Sequence, residues 1–481
     1  MKRAAYILLV APLFVIPTAC GSFSNGDCEF GACGDGGASS SSGGDSGGDV
    51  IAPPGCDLAK EPKDSPACVD DGVGIFVDAV KGADSAAGTK ASPVKSITTA
   101  LAKAGAKRVY VCKGTYAENV TVTTATSIFG GFSCDAWSYA AENAVRIEGS
   151  ADGAALTIKG VASGLTISDV QVLGKVGAAD GGSSVGAFVV SSKAVRFVRA
   201  KLEAQAGGAA KDGVLASFSY PAPVKGSDPT IADPNIGGVP GKVVCPGSKS
   251  GDGAKGGNAG FSGDTGTPAG VGGAGGTLGQ SCAGTGTGGD GKTGASPVGA
   301  AGAAVHGRLS ATGFVGESGA KGEEGGPGGG GGGGAGNGGA GGGGGSGGCG
   351  GAGGGAGSAG GSSIALLAFE SEVSLVATQL VAADGKKGGA GAAGQAGQSA
   401  FGLRGNGSGA ACSGGLGAPG GNGASGGGGA GGVSAGIVWT GGKEPTRDQD
   451  SKITHASGAP ALGGDGDSKG KDGVNTDVLP L

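Results

Sequence analysis

The sequence predicts a mainly β protein whose short strands are interrupted by long glycine-rich segments. Glycine supplies 120 of the 481 residues and is concentrated in tracts such as 325–361. Short apolar segments of strand length lie between these tracts. Only 4% of the residues are aromatic, so a single large core spanning the whole chain is not expected. The apolar segments together suffice for one elongated domain.

The first twenty residues have the features of an export signal. Two basic residues precede an apolar run over 4–19, which is short for a membrane span of about 20 residues. Cys20 follows directly, and 16–20 resembles the lipobox of bacterial lipoproteins, with Pro17 where that family usually has Leu. The resemblance implies a signal peptide over 1–19 and a palmitate-type lipid anchor on Cys20. An ordinary signal peptide or an uncleaved membrane anchor is the alternative.

The resemblance also implies a location in the cell envelope, with the membrane as a partner through the lipid. Gly21 follows the cysteine, where lipoproteins retained in the inner membrane are associated with Asp, so the outer membrane is favoured. Residues 20–72 are predicted to be a flexible tether, because 38–49 consists almost entirely of Ser, Gly and Asp. The tether would hold the folded part away from the lipid.

Ten further cysteines follow Cys20, and export predicts that they form disulfides. Metal binding is the alternative, but the chain has no CxxC pair and only two histidines, so neither a metal nor a cofactor is expected. Connectivity cannot be deduced from sequence, and sequential pairing is the simplest guess because each pair would close a local loop or the base of a glycine-rich segment. The guessed pairs are Cys28/Cys33, Cys56/Cys68, Cys112/Cys134, Cys245/Cys282 and Cys349/Cys412.

One amphipathic helix is predicted near the start of the folded part. Ser92 is expected as its N-cap, with Pro93 at the first helical position. Gly105 is expected to end it as the C′ residue. The apolar face would be formed by Val94, Ile97 and Leu101.

Strands are predicted before and after this helix, at 75–77, 109–111, 120–122 and 127–129. The segments 74–77, 88–93, 97–101 and 109–120, the last containing Gly-Thr-Tyr-Ala-Glu-Asn, together resemble the start of pectate-lyase-like right-handed parallel β-helices. The resemblance implies that the helix caps one end of the solenoid and that the Gly-Thr-Tyr segment opens the first coils. It says little about function, because this solenoid hosts lyases, hydrolases, adhesins and inert stalks.

Later parts of the chain repeat one pattern, in which short strand-like segments are followed by a glycine-rich segment. This pattern is expected for solenoid coils from which long glycine-rich loops, here called excursions, depart. The pattern is seen in 187–207 and again in 364–385, and a third copy begins at 433. The predicted organisation is β-helix coils over 73–210, glycine-rich excursions with short β segments over 211–361, a further coil over 362–384, an excursion over 385–432, a last β segment over 433–456 and a polar tail over 457–481.

The glycine tracts are expected to be disordered. Ordering a residue costs about 1–2 kcal/mol, with glycine at the high end. A backbone hydrogen bond returns only about 0.5–1.5 kcal/mol net. Packed polyproline-II-like strands are the alternative, because 388–397 has glycine at three-residue spacing. A collagen triple helix is not expected, since the Gly-X-Y register breaks constantly and proline is sparse.

Three motifs suggest chemistry without the context that it needs. Residues 286–293 match the phosphate-loop pattern. A phosphate site of this kind needs a strand before the loop and a helix after it, and the sequence predicts neither. The run 465–470 is like a calcium loop, but Lys469 stands where a ligand should be, so a solvated tail is expected. His306 and His455 have no nucleophile motif beside them and are expected to be surface histidines.

No catalytic residue is carried over from the resembled fold. Its polysaccharide lyases use clustered acids and a basic residue, and the acids near the predicted coils have no spacing that selects a shared site. Aromatic residues that would stack on sugars are equally few. The acids are Asp152, Asp169, Asp180 and Asp212, and the aromatic residues are Trp137, Tyr139, Phe188 and Trp439.

The expected function is therefore structural or adhesive. The net charge of −5 argues against nucleic acid as a partner. The sequence favours a non-catalytic, lipid-anchored protein of the cell surface that contacts extracellular polysaccharide or matrix. The alternative is a β-helix protein that binds or degrades polysaccharide, as a lyase or hydrolase.

Overall fold

The computed structural model describes residues 50–481. The signal peptide, Cys20, the Cys28/Cys33 pair and the first part of the tether therefore lie outside the described residues. Within the described residues, no helix is long and apolar enough to span a membrane.

The described chain is mainly β, with one short α-helix. The helix α1 is Ile97–Ala104, and short 3-10 turns are Pro66–Cys68 and Pro246–Ser248. The strands are β1 (Gly74–Val77), β2 (Arg108–Cys112), β3 (Gly114–Ala117), β4 (Val120–Val122), β5 (Ile128–Phe132), β6 (Val145–Glu148), β7 (Ala154–Lys159), β8 (Leu165–Ser168), β9 (Val170–Leu173), β10 (Ser184–Val190), β11 (Val195–Val198), β12 (Lys201–Ala204), β13 (Gly307–Ser310), β14 (Gly313–Gly316), β15 (Ser363–Ser371), β16 (Val373–Val376), β17 (Gln379–Ala382), β18 (Ser434–Gly442), β19 (Thr446–Arg447), β20 (Lys452–Thr454) and β21 (Asn475–Pro480).

Three parallel sheets form a parallel β-helix, which confirms the predicted fold class. Sheet 1 has the order β1-β2-β5-β8-β11-β16-β19, sheet 2 has β3-β6-β9-β12-β17-β20, and sheet 3 has β4-β7-β10-β15-β18-β21. From β2 onward the chain visits the three sheets in turn. Sheets 2 and 3 have six strands each, so the solenoid has six coils.

Side chains at equivalent positions of successive coils stack into apolar columns inside the solenoid. Every residue in the columns below is buried except Ile453, which is partly buried. Burying one such side chain contributes about 1.5–3 kcal/mol. The sheet 1 column is Ile75, Val109, Ile128, Ile167, Phe197 and Leu375, and the sheet 2 column is Tyr116, Ile147, Val172, Leu202, Leu380 and Ile453.

In sheet 1, the sixth coil places a charged side chain where the earlier coils have an apolar one. Arg447 aligns with Leu375 of the coil before it and so takes the next position of the sheet 1 column. Its Nη1 atom lies 3.6 Å from Oδ2 of Asp477 on β21, and Nε2 of His455 lies 3.6 Å from Oδ1 of the same carboxylate. Polar groups from all three sides of the coil therefore meet at the end of the solenoid.

The helix begins later than the sequence predicts. Its N-cap is Ser96, whose side chain accepts a hydrogen bond from the backbone N–H of Thr99. The prediction of Ser92 as N-cap is wrong, because Val94 is held extended. Its N–H donates to the carbonyl oxygen of Phe76, and its own carbonyl accepts from the N–H of Asp78. Gly105 ends the helix as expected, with φ +54°.

The Gly-Thr-Tyr-Ala-Glu-Asn segment is used for structure. The Tyr116 hydroxyl donates to the carbonyl oxygens of Val77 and Cys112, and burial raises the pKa of this hydroxyl. The Glu118 carboxylate accepts from the first backbone N–H groups of α1, at 2.8 and 3.0 Å. The Asn119 side chain accepts from the N–H of Ala151. The segment thus ties the capping helix to the first coils.

Residues 50–72, expected to be part of the flexible tether, pack on the outside of sheet 1. There they cover a cluster of buried aromatic residues, which the apolar residues of the segment contact. The segment is closed by the disulfide Cys56–Cys68. The prediction of a flexible tether is therefore wrong for residues 50–72, and its earlier part lies outside the described residues. The covered cluster is Phe76, Tyr110, Phe129, Phe132 and Trp137.

The glycine-rich segments leave the solenoid at one corner, between sheets 2 and 3. Segment 205–362 joins β12 to β15, 383–433 joins β17 to β18, and 455–474 joins β20 to β21. Backbone hydrogen bonds continue the stacking order of the coils into these segments, through the N–H groups of Gly208, Gly361, Lys386 and Gly432. The expected polar tail over 457–481 also ends in a strand, β21, because it completes the sixth coil.

The excursions are ordered and form a bundle of extended chains, so the expectation of disorder is wrong. In 325–336 the N–H groups donate to three different neighbouring segments in a three-residue repeat, which is the periodicity of a polyproline II helix. Gly328, Gly331 and Gly334 donate to 342–348; Gly329, Gly332 and Ala335 donate to 286–292; Gly330, Gly333 and Gly336 donate to 261–267. Carbonyls of the same segment accept from 254–257, 273–276 and 415–418.

This arrangement explains why the tract is almost pure glycine. A Cβ atom added at Gly331, Gly332 or Gly333 would lie 2.0, 1.9 or 1.9 Å from a carbonyl oxygen of a neighbouring segment. The three oxygens belong to three different neighbours, so each face of the helix touches another backbone. Disorder is expected when the free energy of ordering is considered for one tract alone. In the bundle, each tract also gains hydrogen bonds and contacts from several neighbouring segments.

Four disulfides lie in the described residues. Cys56–Cys68 and Cys112–Cys134 form as the sequential guess predicts. The other two guessed pairs are wrong, because the bonds are Cys245–Cys349 and Cys282–Cys412. Both join segments that are distant in sequence and adjacent in the bundle. Sequential pairing assumed that each excursion closes on itself, whereas the excursions are packed against one another.

Candidate functional site

The outward face of sheet 2 carries a column of polar side chains, one from each of five successive coils. Its members alternate between a cation and an amide, at the spacing of about 4.8 Å that separates neighbouring strands. A second column beside it includes two acids. The first column is Arg146, Gln171, Lys201, Gln379 and Lys452, and the second is Glu148, Leu173, Glu203, Val381 and Thr454.

Four of the five charged side chains in these two columns are paired within single strands. Nε of Arg146 lies 2.7 Å from Oε1 of Glu148, and Nζ of Lys201 lies 2.7 Å from Oε2 of Glu203. All four side chains are partly exposed, so each pair contributes about 0–1 kcal/mol to stability. The face therefore presents fixed donors and acceptors with little net charge.

A groove of about 290 Å³ follows the first column at the corner between sheets 1 and 2. Its lining includes Gln171, Lys201 and Gln379 from the column, and the small residues Ala200 and Ala377. The small side chains leave room where the chain turns from one sheet to the next. Left-handed backbone conformations make this turn in three successive coils, at Asp169 (φ +57°), Arg199 (φ +48°) and Ala377 (φ +48°).

Arg199 lies at the edge of this groove and holds three elements together. Its Nε and Nη2 atoms donate to the two oxygens of Asp169 at 2.8 and 2.7 Å, and Nη2 also donates to Glu61. Asp169 accepts a further bond from the Tyr139 hydroxyl at 3.0 Å. Burial alone would lower the pKa of the guanidinium, but the bonds to Asp169 and Glu61 outweigh it and raise that pKa. The cluster anchors residues 50–72 to the solenoid.

A second cavity, of about 250 Å³, lies between the outward face of sheet 3 and the hairpin formed by β13 and β14. Phe188 of β10 and Phe314 of the hairpin line it, and both are more than nine-tenths buried. The ion pair of Lys175 and Asp152, 3.1 Å apart, lies at its rim. The apolar residues that line this cavity belong to the cluster that holds the hairpin on the sheet.

The phosphate-loop match at 286–293 is part of the bundle. The N–H groups of Gly288, Gly289 and Gly291 donate to carbonyl oxygens of neighbouring segments at 3.0, 2.8 and 2.9 Å. These are the groups that would have to converge on a phosphate. They are already bonded within the protein, so this segment cannot hold one.

The structure does not bring the acids named from the sequence together. Asp152 pairs with Lys175, Asp180 with Lys211, and Asp169 with Arg199. The carboxylate of Asp212 accepts from the N–H of Ala390 in the bundle. In the calcium-like run, Asp465 pairs with Lys387 at 2.6 Å. Each of these acids makes its own local contact, and no two of them face a common site.

The two histidines and the named aromatic residues also have structural surroundings. His306 precedes the hairpin, and burial together with the nearby Lys471 lowers its pKa. His455 belongs to the polar end of the solenoid. Trp137 and Tyr139 pack outside sheet 1, Phe188 lines the hairpin cavity, and Trp439 packs against the solenoid core.

One group of potential metal ligands is found among residues 50–481, namely Asp78, Cys112 and Cys134. The two cysteines form a disulfide, so their sulfur atoms are not thiolate ligands. Oδ1 of Asp78 accepts from the N–H groups of Val80 and Lys81 at 2.8 and 3.0 Å. The group is therefore a turn beside a disulfide.

The polar column on sheet 2 was missed from the sequence. Its signal is the alternation of polar and apolar residues at 145–148 and 201–204, together with a single glutamine in each of the apolar segments 170–173 and 379–382. These strands lie far apart in the chain, and only the coil register shows that their polar positions align.

Comparison with known proteins is limited to a short stretch. A family described as "Protein of unknown function (DUF1565)", which is associated with parallel β-helix proteins, matches residues 80–124, the region of α1 and the first coil. No curated protein matches. One solved structure that matches is a GH136 lacto-N-biosidase from Eubacterium ramulus, in its selenomethionine form. It is 15% identical to this chain, with a TM-score of 0.21, and the match covers 27% of each chain.

Proposed function

We propose that this protein is a non-catalytic, lipid-anchored protein of the cell surface with a structural or adhesive role. Cys20 would carry the lipid, the outer membrane would hold it, and the polar residues before Val50 would act as the tether. The solenoid and the glycine bundle together would form the rigid part that faces the surroundings.

The single observation that carries this proposal is the glycine bundle. A segment such as 325–336 has no reactive side chain, and its N–H groups are bonded to three neighbouring segments. The two disulfides within the bundle suit an oxidising location outside the cytoplasm. A large ordered region built from backbone alone supplies shape and stiffness, which supports a structural role.

The lipid anchor is tested by metabolic labelling with a fatty-acid analogue in cells that express the wild-type protein or Cys20→Ala. We expect label on the wild type and none on the variant. Cys33→Ala is a control that leaves the lipobox intact. Label that persists on Cys20→Ala would overturn the proposed site of attachment.

The non-catalytic role is tested by incubating the purified protein with a panel of neutral and acidic polysaccharides. Chain length is followed by size-exclusion chromatography and reducing-end assay. We expect no shortening of any chain. Depolymerisation that co-purifies with the wild-type protein would contradict the proposal.

The second candidate function is polysaccharide binding, with or without degradation, and the observation that favours it is the groove on sheet 2. A groove lined by amides and paired charges is suited to hydroxyl groups, which both donate and accept hydrogen bonds. Binding without cleavage would be one form of the adhesive role.

A further inference from the structure

We propose that the cavity between sheet 3 and the β13–β14 hairpin binds a free amino acid with an apolar side chain. The side chain would enter the cavity, and the ammonium and carboxylate groups would bind Asp152 and Lys175 at its rim. This inference goes beyond the structural role proposed above, and it depends neither on the lipid anchor nor on the groove of sheet 2.

The first argument is the chemistry of the cavity wall. Phe188 of the sheet and Phe314 of the hairpin line the cavity, together with Leu367 of the next coil. Among the residues that line it in the described part of the chain, Asp152 and Lys175 alone carry a charge. An apolar wall with a few polar groups in fixed positions is typical of small-molecule sites. Charge confined to the rim favours a ligand that is apolar at one end and charged at the other.

The second argument is the size of the cavity, which is about 250 Å³. A cavity of about 150 Å³ suffices for benzene, whereas drug-sized ligands occupy about 300–1,000 Å³. The cavity therefore accepts one branched or aromatic side chain with a small polar group, and it is too small for a peptide. Gly153 and Gly313 also line it, and a Cβ atom added at either would meet no atom within 4 Å. Open space for a ligand therefore adjoins both glycines.

The third argument is the ion pair at the rim. Nζ of Lys175 lies 3.1 Å from Oδ1 of Asp152, and both side chains are largely exposed. An exposed pair of this kind contributes little to stability, so a ligand can take the place of either partner at low cost. A zwitterion supplies an opposite charge to each of the two groups. A ligand with a carboxylate alone would be repelled by Asp152, and an amine alone would be repelled by Lys175.

The short distance within this pair favours a free amino acid over a peptide. The ammonium and carboxylate groups of an amino acid are bonded to one carbon atom, so they can face two protein groups that are 3.1 Å apart. In a dipeptide one further residue, about 3.3–3.6 Å long when extended, separates the two charges. The rim therefore matches the spacing of charges in a single amino acid.

The test is saturation-transfer-difference NMR of the purified full chain with leucine, phenylalanine and glycine, with dissociation constants obtained by titration. Three compounds related to leucine alter its charges: N-acetylleucine lacks the ammonium group, leucinamide lacks the carboxylate, and leucylglycine moves the two apart. We expect leucine and phenylalanine to bind. Glycine and the three related compounds should bind at least about tenfold more weakly, because each lacks the apolar contact or one charged hydrogen bond.

Two variants each remove one charge from the rim, namely Lys175→Met and Asp152→Asn. In each, the dissociation constant for leucine should rise about tenfold, because one charge-assisted hydrogen bond is lost. Lys387→Met and Asp465→Asn are the matched controls. These two residues form an exposed ion pair at 2.6 Å and do not line the cavity, so their substitution should leave binding unchanged.

A third variant obstructs the cavity from its exposed side. Val176 lines the cavity and is half exposed, so Val176→Trp adds bulk there without displacing a buried side chain. We expect it to abolish binding of leucine and phenylalanine. Val315→Trp is the control, because Val315 is an exposed residue of the hairpin that does not line the cavity. Thermal unfolding checks that every variant is folded.

Four results would overturn the inference: no binding of leucine or phenylalanine, equal binding of leucine and N-acetylleucine or leucinamide, unchanged binding in both rim variants, or unchanged binding in Val176→Trp. Equal binding of leucine and leucylglycine would overturn the assignment of a single amino acid. None of these results bears on labelling at Cys20 or on polysaccharide degradation, so failure here is distinguishable from failure of the proposed function.

Discussion

The solenoid and the glycine bundle are both closely packed, but the solenoid packs through its side chains and the bundle packs through its backbone. In the solenoid, side chains such as Phe197 and Leu202 fill the interior, and backbones stay a strand spacing apart. In the bundle, glycines such as Gly332 bring backbones into direct contact. The solenoid is therefore sensitive to lost side-chain volume, whereas the bundle is sensitive to added volume. The difference shows that a hydrophobic core is not required for a large ordered region when backbone groups bond to several neighbours.

The largest expected effect is the loss of a disulfide within the bundle. Cys282 and Cys412 are separated by 130 residues, and closing a loop of that size stabilises by about 5 kcal/mol in the chain-entropy treatment. We expect Cys282→Ser/Cys412→Ser to speed hydrogen exchange throughout the bundle while the coils before β12 stay protected.

The matched control for this prediction is Cys56→Ser/Cys68→Ser, which opens a loop with a separation of only 12 residues. Its expected cost is about 3 kcal/mol, and exchange should increase on the outside of sheet 1 instead. Equal effects on the bundle from both variants would contradict the separation of the two regions.

The next test removes side-chain volume from the core of the solenoid. Phe197 is fully buried in the sheet 1 column, and Phe197→Ala is expected to cost about 3–5 kcal/mol in the free energy of unfolding. Arg196→Ala, exposed on the same strand, should change it by less than about 0.5 kcal/mol. Chemical denaturation followed by circular dichroism measures both, and a similar cost for the two variants would refute the stacked core.

The corresponding test of the bundle adds side-chain volume at a buried glycine. One methyl group added by Gly332→Ala would meet a carbonyl oxygen at 1.9 Å, and overpacking of this kind is expected to cost about 1–3 kcal/mol or more. Gly458→Ala is the control, because Gly458 is exposed and a Cβ there has no neighbour within 4 Å. It should be neutral or stabilising by about 0.4–1 kcal/mol. Thermal unfolding that is equally tolerant of both substitutions would show that the bundle is not closely packed.

The smallest expected effect is at the junction of helix and coil. Glu118→Ala removes the carboxylate that caps α1 and should cost about 1 kcal/mol. Glu142→Ala, a change of the same kind at an exposed turn, should have little effect. Exchange at the first N–H groups of α1 would report the loss directly, and unchanged protection there would exclude the capping role.

The sequence predicted the solenoid better than the bundle, for a physical reason. Strands such as 109–111 and 120–122 carry their own apolar pattern, and the helix end at Gly105 has a local signal. The helix start was misplaced because Val94 bonds to a strand that lies earlier in the chain. The order of the bundle depends on contacts among segments up to 178 residues apart, which no local pattern shows.

The candidate site on sheet 2 is likewise predictable from the sequence only in its local features. The polar position of each strand could be read locally, as in Lys201 and Gln379, but their alignment depends on which coils are neighbours. The two disulfides of the bundle were misassigned because the guess used distance along the chain, whereas Cys245 and Cys349 meet only after the excursions have packed. Cys56 and Cys68 were paired correctly since their loop is local.

The three-residue repeat of the bundle sets a rule for how its segments can change in length. Inserting or deleting one residue in 325–336 would rotate every later N–H group by about a third of a turn and direct it at the wrong neighbour. Inserting or deleting three residues would preserve the direction of each group and only lengthen or shorten the segment. Natural variants of this chain should therefore differ in these tracts by multiples of three residues, whereas strands in the solenoid keep their faces only when shifted by two.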